Sequence, residues 1–274
     1  MGPTRQYRVQ RVNRAAIESP MFDGAVLQPV AQVHADEYQG NVPFSHVVLD
    51  DLVPAEVVQE AIEEFPGPGD IQWNDKTHEY SKKAACEDMS LMGPSIRRLL
   101  FEMNSGVFID FLETLTGISG IIPDPHLRGG GMHQIRNGGF LEVHADFNYH
   151  ERLGLHRRLN LLLYLNDDWR EEYGGHLELW NADLTRCEKR ILPVCNRMVI
   201  FSTTDTAYHG HPEPLNCPID RARNSLALYY YSKDRPAREL STPHSTLYRG
   251  DAVGRKAGLM KRLKAVLRRF WNKT

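Results

Sequence analysis

Cysteine is scarce in this chain: four residues in 274, none of them in a C-x-x-C pair. Cys86, Cys187, Cys195 and Cys217 fit neither a zinc-ligand spacing nor a disulfide framework, so they read as free thiols of a reducing compartment. Long apolar runs are also missing. No stretch reaches the roughly 18 to 20 residues that span a bilayer. Met1 to Asn13 is polar, carries three arginines and has no apolar core, which argues against a secretory signal. Gln6 stands where an acylation motif following Gly2 wants Ser or Thr. Internal repeats and low-complexity segments are absent as well. The expected location is the cytoplasm.

Acidic residues are absent from Arg255 to Thr274, a segment that holds eight basic ones. With a net charge of -2 for the whole chain, the remainder carries -10, and an acidic body does not suit a nucleic-acid enzyme. In the tail, Leu259, Leu263, Val266, Leu267 and Phe270 follow helical spacing, and Lys261, Arg262, Lys264, Arg268 and Arg269 fall opposite. Three readings of residues 256–274 stay open: a helix packed on the body, peripheral contact with an anionic inner membrane surface, or an acidic partner.

What the chain does contain is ordered from helices to strands. Residues 1–42 show no strong period and are expected to be a loosely ordered lead-in. A strand is expected at Phe44 to Leu52. Pro54 then opens a helix with Val57, Val58, Ala61, Ile62 and Phe65 on one stripe. Ile96, Leu99, Leu100 and Met103 mark a second helix. Ser105 caps a third that Gly117 ends. Residues 43–125 thus read as a helical support layer. After Pro125 short strand-like runs alternate with glycine pairs: Leu159 to Leu165, Leu177 to Trp180, Met198 to Phe201 and Leu226 to Tyr231. This predicts a mainly β fold with supporting helices, whose core is a double-stranded β-helix (jelly roll) over 126–235, followed by an extension over 236–274.

One constellation carries chemistry. His144 and Asp146 lie two apart, so on a strand both side chains face one way. His209 follows 63 residues after Asp146, and Arg223 comes 14 residues later at the head of an aromatic strand. Two imidazoles and one carboxylate can cover one face of a ferrous ion and leave the other positions open. A guanidinium brought into a barrel needs an anion and pairs well with a carboxylate.

The run from Gln134 to Tyr231 resembles the iron(II)/2-oxoglutarate-dependent dioxygenases, specifically their prolyl-4-hydroxylase-like branch. The matching pieces are His144-x-Asp146, the strand Leu161-Leu162-Leu163-Tyr164-Leu165-Asn166 with Trp169, then Gly174-Gly175, Leu177-x-Leu179, His209 and Arg223. The resemblance implies that His144, Asp146 and His209 ligate iron. It implies that Arg223 binds the C5 carboxylate of 2-oxoglutarate and Tyr164 hydrogen-bonds to it. Gln134 falls where the family places a tyrosine that contacts the cosubstrate, and Ser225 completes an Arg-x-Ser known from other branches. Asp146 separates the chain from the related halogenases, which carry a small residue there.

One departure is the His209–Arg223 interval, longer than the nine or ten residues usual in prolyl hydroxylases. A loop at 216–222 accounts for it. His211 is a rival ligand that shortens the gap, but Gly210 and the prolines beyond resemble the turn that follows the family's distal histidine. The implied activity couples decarboxylation of 2-oxoglutarate, with dioxygen, to hydroxylation of an unactivated C–H, releasing succinate and CO2. Ascorbate is an expected stimulant. The substrate is a small molecule, a peptide or a glycan/lipid precursor. The alternatives are a cupin-like metalloenzyme that does not use 2-oxoglutarate, and a non-catalytic binding barrel. Asn148, Arg157 and Arg158 read either as lining the substrate mouth or as plain loop residues.

Overall fold

The strand runs expected after Pro125 pair into two antiparallel sheets in a computed structural model that describes residues 20–250. The major sheet runs β1 (His46–Asp50), β12 (Arg197–Ser202), β9 (Leu155–Tyr164), β14 (Ala222–Ser232), β6 (Gly131–Arg136), β4 (Ala84–Cys86) and β2 (Asn74–Asp75). Two short strands join it, β5 (Ile122–Pro123) on β14 and β8 (Tyr149–His150) on β9. The minor sheet runs β11 (Cys187–Ile191), β10 (Leu177–Trp180), β13 (Tyr208–His211), β7 (Phe140–Ala145) and β15 (Leu247–Tyr248), with β3 (Ser81–Lys82) on β7. The architecture is the predicted jelly roll.

The long central strands β9 and β14 are buried on both faces, and period-two alternation divides their labour. Leu159, Leu161 and Leu163, with Leu226, Leu228 and Tyr230, face the helices and join the main hydrophobic core. The opposite face turns Asn160, Leu162, Arg223, Ser225 and Tyr229 toward a cavity that the minor sheet closes.

The helices cover the outer face of the major sheet. They are α1 (Gly24–Gly40), α2 (Ala55–Glu63), α3 (Pro94–Met103) and α4 (Gly106–Thr116). The predicted signals act as expected in α4: the Ser105 hydroxyl accepts from the Phe108 N–H, and Gly117 ends the helix at φ 69°. Tyr230 ties sheet to helix by donating its hydroxyl proton to the Met103 carbonyl at 2.8 Å.

Three organisational expectations need correction. The lead-in is not loosely ordered throughout, because α1 lies inside it. Only Leu27, Ala31 and Tyr38 of that helix are buried and Pro29 interrupts it, so its apolar stripe is too thin to read. Asp23 nevertheless caps it by accepting from Ala25 N–H, and Tyr38 hydrogen-bonds Ser202 at 2.7 Å. The support layer also holds strands beyond the expected one: β2 to β5 come from it and build into both sheets. Finally, the extension folds back. Asn148 donates to Ser241 and to the Thr242 carbonyl, and β15 adds to β7. The basic amphipathic segment 256–274 lies outside the described residues.

Strand β13 comes close to β7 at Gly210. A Cβ there would sit 2.8 Å from the Leu141 carbonyl oxygen, 2.9 Å from that of Glu142 and 3.0 Å from the Val143 Cα. All three neighbours are backbone of β7, so relief requires β13 to move off β7. Gly210→Ala is therefore expected to cost roughly 1–3 kcal/mol, as overpacking does. Urea unfolding would measure the loss, and metal binding should weaken in step, because the same pairing carries the candidate ligands.

Candidate active site

The pairing of β7 with β13 sets His144 directly opposite His209. Their rings lie 4.5 Å apart between centroids, and both are buried. Asp146 follows one residue past the end of β7, on the same side as His144. The ligand atoms of His144, Asp146 and His209 all fall within 4.8 Å of one another.

Each imidazole is oriented by its own strand. His144 Nδ1 bonds the Glu142 carbonyl at 2.8 Å, and His209 Nδ1 bonds the Ala207 carbonyl at 3.0 Å. A carbonyl can only accept, so both Nδ1 atoms carry the proton and both Nε2 lone pairs are free for a metal. These Nε2 atoms stand 3.6 Å and 3.4 Å from the Asp146 carboxylate. Burial, moderated by Asp146, pushes His209 down to about 4, so it is neutral near pH 7. Two imidazoles that present their Nε2 atoms and one carboxylate form the donor set expected of a facial non-heme iron(II) site.

Asp146 is held by two residues behind it. Its Oδ2 accepts from Asn160 Nδ2 at 2.6 Å and lies 3.1 Å from the Arg157 guanidinium. Burial alone would raise the Asp146 carboxyl, but Arg157 and the two histidines hold it well below the usual carboxylate range. Arg157 also donates to Asn160 Oδ1 at 3.0 and 2.6 Å, and it packs against Tyr229 at 3.5 Å and Phe147 at 4.4 Å. Arg157 is 1% exposed, so it belongs neither to a mouth nor to an ordinary loop.

Arg223 enters the same cavity from β14. Its Nε donates to the Gly175 carbonyl at 2.8 Å and its Nη2 to the Tyr164 hydroxyl at 3.1 Å. Gly175, at φ 72°, is the residue this contact needs, since a Cβ would fall 2.5 Å from Leu215 and 3.0 Å from Arg223. Burial pushes the Tyr164 phenol up, with Arg223 partly offsetting it, so it stays protonated and can donate to an anion. Ser225 lines the cavity too.

Gln134 does not. The alternation along β6 turns His133 and Ile135 inward and Gln134 to the opposite face. There its amide donates to the Pro66 carbonyl and to Asn224, and it accepts from Arg136. The residue expected to contact the cosubstrate at 134 therefore lies on the face turned away from the cavity.

His211 also faces the cavity but lies outside the three-ligand cluster of His144, Asp146 and His209. Lys83, just before β4, is a further cavity residue that the sequence did not flag. Burial pushes its ammonium down to about 8, while Asp146 acts to hold the proton on it.

Residues 130–231 match the family model of the 2OG-Fe(II) oxygenase superfamily. Proteins of that superfamily use ferrous iron, 2-oxoglutarate and dioxygen. The mouse prolyl 3-hydroxylase OGFOD1 is 24% identical over 210 residues, which is 73% of this chain and 35% of the mouse protein, so the chain spans about a third of that relative's length. Among solved structures, a Trichoplax adhaerens prolyl hydroxylase bound to a hypoxia-inducible-factor peptide superposes with a TM-score of 0.55 at 15% identity, covering 79% of this chain and 96% of that one. A Pseudomonas putida prolyl-4-hydroxylase gives 0.52 at 18% identity, covering 74% and 100%. These likenesses establish the shared fold.

Replacing Arg157 tests the support of Asp146. Arg157→Met removes the charged partner and leaves Asn160. Outer-shell losses of this kind typically reduce metal affinity by about 10–100-fold. Calorimetric titration with Mn2+ should show a drop of that size with secondary structure retained.

Proposed function

We propose that the chain is an Fe(II)/2-oxoglutarate-dependent hydroxylase. The observation that carries this reading is the meeting of two sites in one buried cavity: the His144–Asp146–His209 cluster and the Arg223–Tyr164 pair. In this reading His144, Asp146 and His209 hold the ferrous ion. With 2-oxoglutarate and dioxygen bound, the ion supplies the oxidant that converts a C–H to C–OH, with release of succinate and CO2.

The protein's own share is positioning and dryness. Arg223, fixed through Gly175 and assisted by the Tyr164 hydroxyl, receives the distal carboxylate of the cosubstrate. Ser225 stands two residues on, on the same face of β14, to assist. Leu162, Leu177 and Ile135 line the space between and exclude water. A cupin-like enzyme without 2-oxoglutarate has no use for Arg223, and a binding barrel has no use for the three-ligand cluster.

The mouse relative and the peptide-bound Trichoplax structure support a peptide as one substrate class, beside a small molecule. The four free cysteines support a reducing compartment, in which ferrous iron also persists.

The test is an anaerobic titration of 2-oxoglutarate into the ferrous protein, followed by succinate release in air with ascorbate. A saturable visible charge-transfer band is expected in the wild type. Arg223→Met should weaken 2-oxoglutarate by about tenfold or more, the equivalent of one lost charge-assisted contact. His144→Ala should abolish the band. An intact protein that takes up iron but never perturbs its spectrum with 2-oxoglutarate would refute the reading.

A further inference from the structure

The cavity contains more positive charge than the proposed reaction uses. Lys83, Arg157 and Arg223 all border it or lie behind its wall, against the single carboxylate of Asp146. Arg157 pairs with Asp146. Of the two carboxylates of a doubly charged cosubstrate, the distal one would meet Arg223 with Tyr164 and the other would face a divalent metal, which would keep one positive charge of its own. Lys83 is then left over. Among the described residues no ion pair joins its ammonium to a carboxylate, and it lines the cavity together with Asp146, His211 and Arg223.

A second group points the same way. His211 is 3% exposed, lines the same cavity, and has no hydrogen-bond partner on either ring nitrogen. Buried polar atoms are almost always partnered, so an imidazole with both nitrogens idle marks a place where a ligand's polar group belongs. Its electrostatic neighbours are Arg223, Lys83 and His144. An imidazole with both nitrogens unpartnered, lining the cavity that Lys83 also lines, offers an N–H to an anion that the lysine holds by charge.

Resting on the hydroxylase reading above, we propose that Lys83 and His211 form a second anion-binding point in the metal cavity, and that the primary substrate carries a carboxylate which docks there beside the C–H to be oxidised. An acid-bearing substrate meets the charge left over; a neutral one leaves the half-buried Lys83 without a counter-charge and His211 without a partner.

The test uses the full chain, ferrous and saturated with 2-oxoglutarate under anaerobic conditions, with acetate as the probe and chloride at equal ionic strength as the control. Acetate is expected to shift the charge-transfer band saturably in the wild type and in Lys83→Arg. Lys83→Met should abolish the shift, and His211→Phe should weaken acetate by about fivefold to tenfold, as loss of one hydrogen bond to a charged group does. The affinity of Lys83→Met for 2-oxoglutarate should stay within about twofold of the wild type, because additivity holds for groups that do not share a ligand. The proposal is overturned if the wild type forms the band but ignores acetate, or if Lys83→Met responds as the wild type does. It is equally overturned if Lys83→Met loses about tenfold in 2-oxoglutarate affinity, since Lys83 would then anchor the cosubstrate. A protein that forms no band at all refutes the hydroxylase reading instead, so the two failures are distinguishable.

Discussion

The register between β7 and β13 is the constraint on which the site depends. It is what sets His144 against His209, two residues far apart along the chain. A slip of one residue would carry the His209 ring to the other face of the minor sheet and leave Asp146 with a single imidazole. Gly210 lets the two strands close where the ladder is irregular between His209 and His211. Within that frame the side chains have little freedom. Each histidine is turned by a carbonyl two residues before it, and Asp146 is turned by Asn160 and Arg157.

Arg157 shows which forces keep a buried charge in place. Desolvating a guanidinium costs several kcal/mol. Here it faces one carboxylate, one amide oxygen and two aromatic rings. A hydrogen bond to a charged group contributes about 1.5–3 kcal/mol, and a desolvated cation–π contact about 2. These offset the desolvation without a large surplus, so the group is better understood as fixing the geometry of Asp146 than as stabilising the fold. The short strand β15 adds a related constraint from the chain's far end, where Tyr248 packs its ring 5.7 Å from His144.

Much of this was legible in the sequence, for reasons that can be stated. His144, Asp146, Tyr164, His209, Arg223 and Ser225 occur in an order that few other chemistries require; five of them line one cavity, and Tyr164 hydrogen-bonds Arg223 beside it. The strands of the jelly roll were readable because glycine pairs punctuate them. Gln134 was placed wrongly because similarity aligns positions along the chain, whereas the pleat decides the face, and an error of one residue inverts it. The helix α1 was hidden because three buried residues over seventeen make no period. Lys83 was hidden because Lys82-Lys83 beside two-residue strands looks like an exposed turn, and only the pairing of β4 with β6 turns the second lysine inward.

The two cations of the cavity differ in a way that matches two kinds of ligand. Arg223 is immobilised: its Nε is committed to Gly175 and one terminal nitrogen to Tyr164, so its remaining donors point in a fixed direction. A planar guanidinium held like this recognises one carboxylate in one pose, as a cosubstrate shared by every turnover requires. Lys83 carries a point charge on a flexible stem, with no partner among the described residues to restrain it. Such a group tolerates variation in the position of the anion it meets. The division suits a cavity in which one acid must always bind identically, close to the metal, while the other arrives on a larger molecule whose reactive C–H has to be brought to the open face of His144, Asp146 and His209.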